Sequence, residues 1–167
     1  MEEGAGVAAD QLYEETDPEE LLEQAQANAQ ALIIATVAFL DARGIPLDDW
    51  TTGIGATFAK AWDEPGTWDA GEFLDAMLTN FRSLGAEVTS SALGPDRAEA
   101  TIVGFPDPEL CAIFGVEPSR VARYNDATAA IAARHGISWT WHAEGDETRY
   151  VAERGAEAAG GRGDTAS

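Results

Sequence analysis

The side chains with the most chemistry to offer in this 167-residue chain are two histidines, His135 and His142, one cysteine, Cys111, and a group of aromatic rings late in the sequence. An imidazole titrates near neutral pH, so either histidine can serve as acid, base or ligand. His142 belongs to a run in which Ile137, Trp139, Trp141 and Ala143 alternate with Ser138, Thr140 and His142, the period of a strand with one buried side. That alternation sets His142 on the side away from the tryptophans, where it also reads as an exposed histidine paired across to Arg149. His135 extends an apolar helical stripe into its last turn, where the helix dipole favours a protonated imidazole and hence a capping role. Two histidines exclude a three-histidine metal site, and no spacing identifies the carboxylates that a two-histidine site needs.

Cys111 falls near the start of a short helix, where backbone N–H groups lower a thiol pKa and favour a nucleophile. Its neighbours Leu110, Ile113 and Phe114 favour a packed apolar thiol instead. A lone cysteine allows no intrachain disulfide and no cysteine-rich zinc cluster. The Gly-x-Ser-x-Gly elbow of serine hydrolases is absent, and Ser90-Ser91 sit within a strand pattern. The acidic pairs Asp48-Asp49 and Asp63-Glu64 fall at helix ends, where they serve the dipole. Gly53-x-Gly55 lacks a third glycine and a preceding strand, so it signals close helix packing or a kink rather than a dinucleotide loop. No cofactor is identified by any of these patterns. Tryptophans at 50, 62, 68, 139 and 141, with Tyr124 and Tyr150, can line a pocket for a planar or apolar ligand, fill a bulky core, or form a dimer seam.

The elements that must hold these groups are marked by strong punctuation. Asp17 can cap a helix that has Pro18 in its first position and ends at Gly44, with Pro46 beyond. Leu21, Ala25, Leu32, Thr36 and Leu40 trace its stripe, and Ile33, Val37 and Phe39 widen it, which predicts a central, buried helix. A second helix spans about Leu47 to Trp62. A third opens at the capping pair Asp69 and Glu72, buries Phe73, Met77, Phe81 and Leu84, and stops at Gly85. From Glu87 to Phe105 the period drops to two, and Gly94-Pro95-Asp96 closes a hairpin. There Val88, Ser90 and Ala92 are expected to share a face with Ala98, Ala100 and Ile102. Asp107-Pro108-Glu109 opens a short helix closed by Gly115, and Pro118 starts a longer one with Val121, Tyr124, Thr128, Ile131 and His135 on one side. After Gly136 comes the aromatic hairpin, Ile137 to Ala152. Its Gly145-Asp146 turn places Glu144 opposite Glu147, Trp141 opposite Tyr150 and His142 opposite Arg149. Helices in blocks followed by hairpins predict an α+β fold with about five helices packed on an antiparallel sheet of about four strands formed by two hairpins.

Thirty acids against ten bases give a net charge of −20, and Lys60 is the one lysine. Such a surface repels phosphate backbones, so nucleic acid and anionic membranes are not expected partners. The six acids of residues 1–17 account for part of that charge and leave −14 on the rest. Residues 1–16 and 154–167 read as disordered tails around a single domain spanning 17–153. Arg162-Gly163-Asp164 in the latter is a chance tripeptide. The longest apolar run, Ala31 to Leu40, is too short to span a bilayer, and with no secretory leader a soluble, cytoplasmic protein is expected.

The closing run Trp139-Thr140-Trp141-His142-Ala143-Glu144-Gly145-Asp146, followed by Arg149-Tyr150, resembles the C-terminal part of 4-vinyl-reductase-type ligand-binding domains. It also resembles the related L-2-amino-thiazoline-4-carboxylic acid hydrolase-like proteins, in a wider group with haem-based nitric-oxide sensors and transport-particle subunits. The likeness covers residues 85–153. A cysteine expected after the turn is replaced by Glu147 and Thr148, so the resemblance implies a binding or scaffold role more than hydrolysis. The expectation is a small-molecule-binding, sensor-like domain whose ligand lies between helices and sheet. Trp139, Trp141 and Tyr150 form its wall, Cys111 and Tyr124 approach from the helix pair, and His142 stands alongside. The alternatives are a hydrolase of a small carboxylated heterocycle, using His142 or Cys111, and a non-enzymatic homodimeric module with the aromatic rings at the subunit interface.

Overall fold

The computed structural model describes residues 17–62 and 65–155. The expected leader, nearly all of the expected tail with Arg162-Gly163-Asp164, and the Asp63-Glu64 pair lie outside the described residues. The chain is α+β. Helices α1 (Pro18–Ala42), α2 (Leu47–Phe58) and α3 (Ala70–Ser83) precede the hairpin β1 (Glu87–Leu93) and β2 (Arg97–Val103). Helix α4 (Pro108–Phe114) follows, then a helical run made of α5 (Pro118–Ala122), a 3₁₀ segment (Arg123–Ala127) and α6 (Thr128–Arg134). The second hairpin, β3 (Ile137–Glu144) and β4 (Glu147–Arg154), completes the order. The two hairpins join through β2 and β4 into one antiparallel sheet ordered β1-β2-β4-β3.

Local chemistry explains the boundaries. Asp17 accepts a hydrogen bond from the Glu19 N–H at 2.9 Å, and Asp107 accepts from both Glu109 and Leu110. Asp69 and Glu72 form the reciprocal capping box. The register of the second hairpin is the expected one, with Trp141 opposite Tyr150 and His142 opposite Arg149.

Three expectations are corrected. A bulge between Val88 and Ser90 shifts the first hairpin, so Val88 keeps its place beside Ile102 while Ser90 and Ala92 pair with Thr101 and Glu99 on the outer face. The helix from Pro118 is interrupted by the 3₁₀ turn. Helix α1 is not central: Gln30, Ile34, Val37 and Leu40 face inward, whereas Leu21, Leu32 and Phe39 are exposed.

The central helix is α3, whose Phe73, Leu74 and Leu78 are fully buried against the inner sheet residues Ala98, Ala100, Ile102, Tyr150 and Ala152. Burying each large side chain there contributes about 1.5–3 kcal/mol relative to leaving it in water. Small residues on β2 let α3 lie close to the sheet. A second cluster forms where α1 meets α4 and α5, around Ile34, Val37, Leu47, Cys111 and Val121.

Candidate functional site

Trp139 and Tyr150 are drawn into the core rather than lining a wall. Their rings stack at 5.0 Å, Tyr150 stacks on Phe81 at 4.8 Å, and Phe73 meets Trp139 edge-on at 5.8 Å. Phe73 and Phe81 of α3 thus occupy the space in which the expected ligand would sit. The polar ends of the rings hold the 3₁₀ segment. Trp139 Nε1 donates to the Asn125 carbonyl at 3.2 Å, Tyr150 Oη donates to Asn125 Oδ1 at 3.1 Å, and Trp141 Nε1 donates to Asp126 Oδ1 at 2.8 Å. Arg123 Nε donates to the other Asp126 oxygen at 2.6 Å. Burial pushes the Tyr150 hydroxyl far above the ordinary phenol value, so it stays a neutral donor.

The remaining expected site residues are spread over different places. Cys111 is fully buried in the second cluster, and burial, reinforced by Asp107 and Glu117, raises its pKa. The thiol is thus held protonated among Ile34, Val37, Leu47 and Val121. His142 is exposed on the outer sheet face, in an open groove of about 560 Å³ with Ser90, Thr101, Glu144, Glu147 and Arg149. Arg149 is already engaged there by Glu99, whose carboxyl its guanidinium, with that of Arg97, holds below the usual range. His135 is buried and stacks on Trp68 at 5.2 Å, inside the core rather than at a solvated helix end. Among the described residues, no group of three or more His, Cys, Asp or Glu side chains gathers to hold a metal ion. None of the helices described is long and apolar enough to cross a membrane.

Tyr124 does line a concave apolar site. A cleft of about 310 Å³ opens between the end of α2, the C-terminal half of α3 and the run from the 3₁₀ segment into α6. Phe58, Trp62, Met77, Phe81, Tyr124 and Ile131 form its walls, and Asn80, Ser83 and Thr128 supply polar groups. Each wall has an identifiable support. Trp62 packs edge-on against Trp68 at 5.3 Å, and Tyr124 is held between Trp50 at 5.9 Å and Phe105 at 6.0 Å. Burial raises the Tyr124 pKa, which leaves its hydroxyl neutral. Gly55 allows α2 to touch the 3₁₀ segment, since a Cβ there would lie 2.4 Å from the Ala127 carbonyl oxygen. Close approach is thus the role of Gly55, while Gly53 meets nothing within 4 Å.

Two supports escaped sequence reasoning. Gln30 donates at 2.7 Å to the carbonyls of both Leu84 and Gly104 and accepts from the Asp107 N–H at 3.0 Å, tying α1 to the end of α3, the end of β2 and the start of α4. An amide amid the apolar stretch of α1 was the available signal. Asn125 is fully buried beneath the tryptophan pair, and nothing local marks it. The chain matches no protein-family model, no curated protein and no solved structure.

Proposed function

We propose that this protein binds a small, neutral, planar or compact apolar molecule in the cleft between α2, α3 and the 3₁₀–α6 run. The observation that carries the reading is a cleft of about 310 Å³ with aromatic and aliphatic walls and a few polar groups. That combination is the ordinary make-up of a small-molecule site, at the compact end of its size range. Asn80, Ser83 and Thr128 orient one polar group of the ligand while its apolar body faces Met77, Phe81 and Ile131. A net charge of −20 disfavours anionic ligands, and the cleft lining holds no carboxylate to pair with a cation, which together favour a neutral species. The reading keeps the ligand-binding role implied by the resemblance to 4-vinyl-reductase-type domains, retains Tyr124 among the expected contacts, and replaces Trp139 and Tyr150 by Trp62 and Phe58.

A panel of neutral mono- and bicyclic aromatics, screened by thermal shift, tests it. At least one class is expected to raise the Tm of the wild type and to lose that effect in Ser83→Trp, which places an indole at an exposed position on the cleft. A panel that leaves the Tm unmoved, or stabilisation that survives Ser83→Trp undiminished, contradicts the proposal.

A further inference from the structure

Helix α1 carries an outward face that the other described residues leave largely exposed. Leu21 and Leu22 are 59% and 58% exposed, Leu32 71% and Phe39 54%. Isolated exposed leucines are ordinary, but these follow a rule. Leu22, Ala25, Ala29, Leu32, Thr36 and Phe39 are spaced 3, 4, 3, 4 and 3 residues apart, the a/d repeat of a coiled-coil seam. The core-facing residues Gln30, Ile34, Val37 and Leu40 form a separate, neighbouring stripe of the same helix, so the seam is additional to the one that folding uses.

Charge is distributed to match. From Gln24 to Leu40 the helix contains no charged residue, in a chain that is 24% charged with a net −20. The uncharged stretch lets a second, equally acidic copy approach without setting carboxylate against carboxylate. The seam is also palindromic in its numbering. Run antiparallel to itself about a two-fold axis between Ala29 and Leu32, it places Leu22 against the second copy's Phe39, Ala25 against its Thr36 and Ala29 against its Leu32. Large meets large at the ends, the small pair Ala25 and Thr36 lies between, and each Leu32 packs over an Ala29 beside the axis. The next step of four beyond Phe39 reaches Arg43, and the same register carries it to the first turn of the opposing helix, where Glu19 and Glu20 stand. The pairing is isologous, and it closes at two copies.

We infer that this chain forms a homodimer through an antiparallel pairing of α1 with the α1 of a second copy, independently of whether the cleft binds a ligand. Analytical ultracentrifugation of the full chain from about 10 to 300 μM tests it. The expected result is a species of twice the 17.6 kDa chain mass, with a dissociation constant raised at least ~10-fold in Leu32→Glu, which brings two carboxylates close to the axis. Because Leu32 is exposed, that variant, compared at a concentration where both chains are monomeric, keeps the Tm of wild type, so loss of dimer is not loss of fold. Leu22→Cys mixed with Phe39→Cys is expected to form a heterodisulfide under oxidation, whereas a disulfide in Leu22→Cys alone overturns the antiparallel register. A monomer across the whole range overturns the inference, whether the face is then left to solvent, covered by residues 1–16 or held for a different protein. A dimer that Leu32→Glu does not weaken overturns it as well.

Discussion

Gln30 shows how much one side chain governs in this protein. Its amide satisfies two carbonyls and one N–H from three separate elements in the part-buried seam between α1 and the sheet end. Gln30→Leu keeps the volume and removes all three bonds. Leaving buried polar groups unpaired costs about 1–3 kcal/mol each, partly recovered by relaxation, so the variant is expected to lose about 2–4 kcal/mol in urea unfolding. A loss below ~0.5 kcal/mol would mean that water reaches the seam. Cys111 offers a second test at this scale. Its raised pKa and full burial predict that a disulfide reagent such as Ellman's reagent at pH 8 reacts with the native protein only as fast as the protein opens, and at once after denaturation. Rapid labelling of the native chain would return Cys111 to the list of reactive groups.

Among the elements, the contact between α2 and the 3₁₀ segment sets the cleft, and two glycines two residues apart separate its causes. Gly55→Ala drives a methyl into a backbone carbonyl that cannot rotate away, and is expected to cost about 1–3 kcal/mol. Gly53→Ala meets open space and gains up to ~1 kcal/mol of helix propensity. Opposite signs in thermal melts are the expected outcome, and equal effects would remove the close-approach argument. Sequence alone marked the pair but not which member makes the contact. It was more complete for the hairpin β3–β4, because a two-residue turn fixes register, and for α3, whose capping box and apolar stripe agree. It was less so where tertiary forces override local signals. The bulge before Ser90 reverses the facing of the rest of β1 without any glycine to announce it. The Asn125 carbonyl accepts the Trp139 indole N–H from β3 as well as the Thr128 N–H three residues on, so the 3₁₀ turn carries a tertiary bond that helical spacing does not announce. The apolar width of α1 was read as burial, and it is two stripes, one of them outward.

For the whole molecule, the division of labour follows from layers. The inner sheet face and α3 make a dry core that takes Trp139 and Tyr150, the outer sheet face stays polar with paired charges, and the helices beyond α3 leave the concave apolar space. The aromatic residues read as a candidate site are therefore divided by the packing, with Trp139 and Tyr150 in the core and Tyr124 on the cleft. Pocket and core ask for the same residue types, and only the packing of Phe73 and Phe81 decides which rings are covered. Tyr124, on the helical run rather than the sheet, is the expected site residue that lines the apolar cleft.

The most direct test is a methyl resonance. The chain has two methionines, Met1 and Met77, and the latter lies in the cleft wall, so methionine-methyl labelling gives one reporter inside the proposed site. Titration with a neutral bicyclic aromatic such as 2-naphthol is predicted to shift the Met77 methyl signal saturably in wild type and in Leu32→Glu, and not in Ser83→Trp; an anionic naphthalene sulfonate is predicted to bind far more weakly. A Met77 signal that stays fixed throughout a panel of such compounds, or that moves equally in Ser83→Trp, would contradict the account.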